Sequence, residues 1–378
     1  MIVPEDYAKK LLAKLGLSVP CGDAVTSAED ATLLAQALGG KGVVKALIPS
    51  GGRGKAGGVR ICHSPEEIHQ AANDLLHKEL LGHIVYSVLV EELMPISREL
   101  YAGVIANTAT DRIDLMVSIA GGMDIENTAR NVSGSVRQLS VSPGDVLPLH
   151  RVRRWLQQDK TGLAELPSLP EVLVQLYRAA ADMDALLLEI NPLAVLGDGT
   201  FVLLDCKLEV DNNSLSRQPE LNQLYLASLS PREMRARELG VSFVPLDGDI
   251  GVITSGAGLG MATLDMLRTK GLSPANFLDT GGGISEQMVQ GALQLIMEPP
   301  QVRGAVINLY GGINRMLEAA KGICAALENI SGNRPIVVKI LGNQQEEAWA
   351  MLETLPNVHI IRVVQTETAV DRLAELLN

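Results

Sequence analysis

The sequence predicts an α/β fold whose C-terminal part is a doubly wound, flavodoxin-like parallel sheet. Three observations carry this. From residue 249 onward, strand-like and helix-like stretches alternate through five βα units. Glycine runs (Gly256-Ala257-Gly258, Gly281-Gly282-Gly283, Gly311-Gly312) fall at the carboxyl ends of those strands, where such sheets bind ligands. The N-terminal part differs: residues 98–107 and 112–119 alternate apolar and polar like strands of an antiparallel sheet.

Taken in order, residues 5–16 predict a helix ending at Gly16, with Tyr7, Leu11, Leu12 and Leu15 on its apolar face. Gly42-Val43-Val44-Lys45-Ala46 reads as a strand with a turn after it at Pro49. Residues 28–38 and 65–81 read as helices and 84–91 as a strand. Helix 170–183 precedes two apolar runs, 187–193 and 203–207, joined by a turn at Gly197-Asp198-Gly199. From Asn212 to Pro245 the pattern turns polar and charged, a connection containing a helix. A boundary near residue 240 gives domains 1–240 and 241–378. Beyond it come strands 249–254, 275–279, 303–309, 335–340 and 358–361, each followed by a helix (259–270, 285–297, 314–328, 344–354, 367–377).

Composition excludes several classes. The 378 residues are enough for two or three domains with sizeable cores. A net charge of −12 provides no overall field for nucleic acid, so basicity must be local. Two Trp, six Tyr and three Phe are too sparse for base-stacking platforms. Cys21, Cys62, Cys206 and Cys324 lie far apart, without zinc spacing, as free thiols of a reducing cytoplasm do. The first 17 residues carry Glu5 and Asp6 and do not read as a signal sequence. No 18-residue apolar run spans a membrane.

Two stretches carry chemistry. Antiparallel pairing across Gly197-Asp198-Gly199 brings Glu189, Asn191 and Asp205 to one end of a sheet. Hard oxygen donors of this kind suit Mg²⁺ completed by nucleotide phosphates and water; a hairpin with solvated ends is the plain alternative. Ser50-Gly51-Gly52-Arg53-Gly54-Lys55-Ala56-Gly57-Gly58 follows the strand that carries Lys45. Its glycines let backbone N–H groups approach phosphate, and Lys45, Arg53 and Lys55 add positive charge. It is not a Walker loop, since Pro49 and Ala56 stand where that pattern needs Gly and Ser or Thr. Alone it also fits a basic surface loop. The two stretches together favour phosphate chemistry.

The ordered set of Lys45 at a strand, the glycine run, Val90-Glu91, Arg98-Glu99-Leu100-Tyr101, Glu189-Ile190-Asn191-Pro192-Leu193 and Leu204-Asp205-Cys206-Lys207-Leu208 resembles the ATP-grasp β subunit of succinyl-CoA synthetase. The resemblance continues through 246–251, Gly256-Ala257-Gly258-Leu259, Asn276-Phe277-Leu278-Asp279 and Gly311-Gly312-Ile313, covering nearly the whole chain. It implies an N-terminal ATP-grasp domain and a C-terminal CoA-ligase domain. The activity implied is ligation of succinate or a related dicarboxylate to CoA with ATP or GTP and Mg²⁺. It also implies a cytoplasmic αβ or α₂β₂ assembly with no membrane or nucleic-acid partner, in which an α subunit supplies a phosphohistidine.

Position by position, the resemblance matches Lys45, Gly52, Arg53 and Gly54 to phosphate binding and Glu91 and Glu99 to the nucleotide pocket. It matches Asn191 and Asp205 to Mg²⁺, and Glu189 to a glutamate orienting the partner's phosphohistidine loop. Ser255 and Gly312-Ile313-Asn314 match the organic-acid pocket. Ser255 stands where succinate enzymes usually carry asparagine, Asn314 where they carry an apolar residue, and Ala120 where they carry glutamate. The stretch 127–138 departs from the family's acidic sequence. These departures point to succinate, malate or itaconate.

Other classes remain open at this level. One is a nucleotide-binding regulatory partner with degenerate chemistry; another is a citryl- or acetyl-CoA-forming ligase. The run Gly256-Ala257-Gly258-Leu259-Gly260-Met261, with Asp279 downstream, resembles a dinucleotide fingerprint and raises an NAD-binding oxidoreductase. Met261, where the third glycine belongs, is expected to obstruct close helix–strand packing. Asp279 is expected to cap its glycine loop, and Cys206 to be a small core residue.

Overall fold

The computed structural model describes residues 1–122, 135–159, 161–330 and 332–377. Most of the divergent stretch 127–138 lies outside them. The chain divides into two compact units, Met1–Gln223 and Leu224–Asn378.

In the first unit the elements run β1 (Ile2–Val3), α1 (Glu5–Lys14), β2 (Gly22–Val25), α2 (Ala28–Ala37), β3 (Gly42–Ala46), β4 (Val59–Cys62), α3 (Pro65–Leu75), β5 (Glu79–Leu80), β6 (His83–Ile84) and β7 (Val88–Glu92). They continue with β8 (Ile96–Asn107), β9 (Arg112–Ser118), β10 (Arg137–Val141), α4 (Leu149–Gln157), α5 (Leu169–Asp182), β11 (Ala185–Leu196), β12 (Phe201–Leu203) and β13 (Cys206–Val210). One sheet has the order β2-β7-β3-β4 and is antiparallel throughout. Helices α2 and α3 cover it, burying Ala31, Ala35, Ile68 and Ala72 against Val44, Val88 and Val90. The larger sheet has the order β1-β13-β11-β8-β9-β10, with β12 beside β11.

Three local expectations change. Helix α1 buries Glu5, Ala8, Lys9 and Leu12, whereas Leu15 is exposed. The buried face of this helix is therefore partly ionic: of the expected apolar stripe Leu12 is buried, Tyr7 and Leu11 are half-buried, and Leu15 is left out. The helix expected over 65–81 stops at Leu75 because Leu76 turns extended. The β5–β6 hairpin then turns at Leu81 and Gly82, both with positive φ. That hairpin also splits the strand expected at 84–91 into β6 and β7.

The second unit follows from α6 (Pro219–Ser228), which spans the division. It continues through α7 (Pro231–Glu238), β14 (Ser242–Pro245), β15 (Ile250–Thr254), α8 (Ala257–Thr269), β16 (Asn276–Asp279), α9 (Glu286–Met297) and β17 (Gly304–Arg315). The remainder is α10 (Met316–Leu327), β18 (Ile336–Asn343), α11 (Gln345–Leu352), β19 (Val358–Ile360) and α12 (Thr366–Leu377). Strands β16-β15-β17-β18-β19 pair in parallel, the flavodoxin-like order 2-1-3-4-5. Residues 242–245, read from sequence as part of the connection, instead add the antiparallel edge strand β14 to β16.

Alternation along each strand sends successive side chains to opposite faces. Ile253, Ala305, Ile307, Val338 and Ile340 join the core under α9, α10 and α11. Ile250, Val252, Val306 and Val337 join the one under α8 and α12. Buried Asn308 and Lys339 share the second face.

Candidate functional site

In the first unit the residues singled out by motif meet at a buried ionic cluster. Strand β3 brings Lys45, and the loop after it brings Arg53. The middle strand β7 brings Glu91, and Asp205 lies between β12 and β13. Lys45 donates to Glu5 Oε1 at 2.9 Å, lies 2.8 Å from Glu91 Oε2, and donates to the Leu204 carbonyl. Arg53 reaches Glu5 Oε2 at 2.6 Å, Asp205 Oδ1 at 2.9 Å and the Ala46 carbonyl at 3.0 Å. Lys9 joins them, 2.6 and 2.8 Å from the two Glu91 oxygens and 2.9 Å from Glu5. The charges of Lys9, Lys45 and Arg53 therefore cancel those of Glu5, Glu91 and Asp205.

The protonation directions follow from that arrangement. Burial pushes the Glu5 carboxyl up, but Lys45, Lys9 and Arg53 outweigh it and hold the group well below the carboxylate range. Burial pushes the Lys45 ammonium down, and Glu5, Glu91 and Asp205 more than reverse this. Asp205 is raised, by burial first and by Glu5 second, against the pull of Arg53 and Lys45. Cys206, next along, is buried and its thiol is pushed up by desolvation, as suits a core residue.

Glu91 is 2 % exposed and bound to two lysines, so it is not a solvated strand end. Of the glycine loop, only Arg53 and Gly58 are buried between Gly51 and Gly58; Gly52 and Gly54 lie open to solvent, with Gly52 at φ +77°.

Asn191 and Asp205 face one another as the hairpin reading required, through an Asn191 N–H to Asp205 carbonyl bond of 3.3 Å. Asn191 lies mid-strand in β11, however, and Asp205 in the break between β12 and β13, so neither stands at a sheet end. Strand β11 continues through Pro192 to Leu196, and its pairing with β8 shifts between Ile190 and Leu193, where proline gives the ladder no N–H. The Asn191 side-chain oxygen accepts the Gly122 N–H at 2.7 Å. Glu99, exposed on β8, crowds the same glycine: a Cβ on Gly122 meets Glu99 Oε2 at 2.2 Å. Glu189, two residues before Asn191 on the same strand face, pairs in register with Gly103 and Lys207.

Among the described residues no group of three His, Cys, Asp or Glu forms a metal cage. Asn191 and Asp205, joined through their backbones, each carry a hard oxygen donor on the side chain. That fits Mg²⁺, which takes one or two protein oxygens and leaves its other positions to phosphate and water.

In the second unit Ser255 follows β15, and Tyr310 to Asn314 form the far end of β17. These adjacent parallel strands flank the point where strand order reverses, the ligand crevice of such sheets. Ser255 Oγ accepts the Tyr310 N–H at 2.9 Å and donates to the Tyr310 carbonyl at 3.2 Å. Asn314 Oδ1 accepts the Ile284 N–H at 3.4 Å, and Ile313 is 95 % exposed. Asp279 Oδ1 accepts from Gly256 N at 2.6 Å and Gly281 N at 2.8 Å, closing its glycine loops. The expected obstruction at Met261 does not occur: Met261 is exposed, and Gly260 fits against Phe277, where a Cβ comes within 2.6 Å.

The comparisons with known proteins agree with this division. Residues 3–195 match the ATP-grasp domain family and residues 253–373 the CoA-ligase family. The chain is 40% identical over 358 residues to the succinate–CoA ligase [GDP-forming] subunit beta of Thermus thermophilus, covering 94% of each. The chain belongs to the succinate/malate–CoA ligase β-subunit family. It is also 37% identical to a probable malate–CoA ligase subunit beta of Mesorhizobium japonicum, over 98% of this chain and 96% of that one. In structure it matches ATP citrate lyase from Methanothrix soehngenii with a TM-score of 0.80, covering 99% of each chain at 19% identity, a likeness of fold. As a β-subunit family member the chain is part of an acid–thiol ligase. The family assignment leaves no place for the dinucleotide reading. Among the described residues no helix is long and apolar enough to cross a membrane.

The motifs missed Glu5 and Lys9. The one signal was their spacing of four in the first turn of a helix, which ordinarily reads as a solvated pair.

Proposed function

We propose that this chain holds Mg-ATP or Mg-GTP in its first unit and shapes part of an organic-acid site in its second. With CoA and a succinyl-CoA-synthetase-like α subunit, it would form acyl-CoA, ADP or GDP and phosphate. The observation that carries this reading is the buried cluster joining Lys45 and Arg53 to Asp205, with Asn191 alongside. Lys45 and Arg53 take the phosphates, aided by N–H groups of the loop around Gly52 and Gly54. Asn191 and Asp205 hold the Mg²⁺, which supplies positive charge against the phosphoryl oxygens. Glu91 fixes Lys45, and Glu99 lines the nucleotide pocket. Glu189 orients the partner's phosphohistidine loop, so the phosphoryl group leaves the nucleotide for a residue this chain does not carry.

Ser255, Gly312, Ile313 and Asn314 form this chain's share of the acid pocket. Both hydrogen-bonding directions of Ser255 are spent on Tyr310, so its hydroxyl sets the course of the 310–314 segment. A polar group left unpaired in such a pocket costs about 1–3 kcal/mol, enough to reject a wrong acid about ten- to a hundredfold. Succinate, malate and itaconate are the acids proposed.

The test is an acyl-CoA assay of this chain with and without a family α subunit, across succinate, malate, itaconate, citrate and acetate. Mg-ATP- and CoA-dependent activity with one dicarboxylate, only when both chains are present, is the expected result. Turnover by this chain alone contradicts the division of labour. Nucleotide binding without turnover of any acid supports a regulatory partner instead. Ser255→Asn is expected to change the order of acid preference; an unchanged order removes that residue from specificity.

A further inference from the structure

Three cations converge on Glu5. Its Oε1 lies 2.9 Å from both Lys9 Nζ and Lys45 Nζ, and its Oε2 accepts from Arg53 at 2.6 Å. It is 4 % exposed. Lys9, one helical turn later at 3 % exposure, spans Glu5 and both oxygens of Glu91 and caps the Leu204 carbonyl at 2.6 Å. Both residues stand on helix α1, whereas Arg53 belongs to a loop whose nearest neighbours, Gly52 and Gly54, are exposed.

We infer that Glu5 and Lys9 are positioning residues of the phosphate site. Glu5 is the resting counter-ion that Lys45 and Arg53 give up on meeting a phosphate, and Lys9 sets how firmly Glu5 and Glu91 hold them. The inference rests on the reading that Lys45 and Arg53 bind nucleotide phosphates.

The sign of each substitution follows from the charge balance of the six residues. Glu5→Gln leaves buried cations without their shared anion, a costly state that a phosphate relieves. It therefore weakens the free chain and tightens nucleotide. Lys9→Met removes a competing cation, so Glu5 and Glu91 hold Lys45 and Arg53 harder and nucleotide binds more weakly. Neighbouring charges in contact couple strongly enough for about tenfold changes in each direction. The double variant restores neutrality and returns toward the wild-type affinity. A purely structural role predicts that both single changes weaken binding and that their effects add.

The experiment is calorimetric titration of Mg-ATP into the full chain. It compares wild type, Glu5→Gln, Lys9→Met, the double variant, Lys9→Arg and Arg53→Ala. Tighter binding in Glu5→Gln, weaker binding in Lys9→Met and near-wild-type affinity in Lys9→Arg and the double variant are expected. Should Lys9→Met fail to fold, Glu5→Gln carries the test through its melting temperature, which Mg-ATP must raise more than that of the wild type. Weakened or unchanged binding in Glu5→Gln overturns the inference. If Arg53→Ala loses nucleotide while Glu5→Gln binds like wild type, the phosphate site stands and only the counter-ion role falls. If Arg53→Ala binds like wild type, both fall.

Discussion

Lys45 in the first unit is 6 % exposed and Lys339 in the second 1 %, but they are buried in opposite company. Lys45 sits among carboxylates, and its positive charge is kept. Lys339 donates to the amide oxygen of Asn308 at 3.0 Å and lies 6.0 Å from the centre of the Tyr310 ring. The amide of Asn308 continues to Thr263 at 3.0 Å and Thr366 at 3.2 Å, tying β17 to α8 and α12. Burial pushes the Lys339 ammonium below its ordinary value, with Glu367 opposing. The contrast separates two uses of a buried cation. A charge neutralised by carboxylates is available for exchange with an incoming anion; a charge set against an amide and a ring holds elements together.

The largest expected effect is at Lys45. Lys45→Met strands Glu5 and Glu91 beside one fewer cation, costing about 3–5 kcal/mol of unfolding free energy in urea denaturation. Lys339→Met removes a partner from buried Asn308 and costs about 1–3 kcal/mol by the same measurement. An equal loss at both positions would break the distinction.

The pH dependence sharpens it, because the two signs differ. The folded value of Lys339 lies below 10.5, so the unfolded chain binds more protons in between, and stability rises with pH as 10.5 is approached. That rise is expected in the wild type and absent in Lys339→Met when melting temperature is followed from neutral pH upward. The folded value of Lys45 lies above 10.5, so its contribution is complete below 10.5 and is lost only at higher pH.

Smaller effects test the glycine fingerprint of the second unit. Gly260→Ala drives a Cβ to within 2.6 Å of Phe277 and 2.9 Å of Thr254 Oγ1, and overpacking of that kind costs about 1–3 kcal/mol. Exposed Met261→Ala is expected to change stability by no more than about 0.5 kcal/mol. Thermal unfolding of the two variants side by side checks both.

Much of this architecture is legible in the chain. The five βα units of the second unit stand where periodicity and glycine loops put them, because parallel strands buried on both faces read as unbroken apolar runs. The pairing of Asn191 with Asp205 is legible too, since the Gly197-Asp198-Gly199 turn fixes the register. What escapes is long-range: Lys9 meets Glu91 and Leu204, 82 and 195 residues away, Glu5 meets Lys45 and Arg53, 40 and 48 residues away, and nothing local marks the pair as buried. Lys339 escapes for a similar reason, since one lysine in an apolar strand discloses no partner until β17 and β18 are set side by side. The edge strand β14 was hidden by its polar neighbours.

The most direct test of the central claim is calorimetric titration of Mg-ATP into wild type, Lys45→Met and Lys339→Met, each checked for folded structure by circular dichroism. Loss of binding in Lys45→Met with near-wild-type affinity in Lys339→Met is the predicted result. Wild-type affinity in Lys45→Met, or equal losses in both variants, would contradict the assignment of the ionic cluster as the phosphate site.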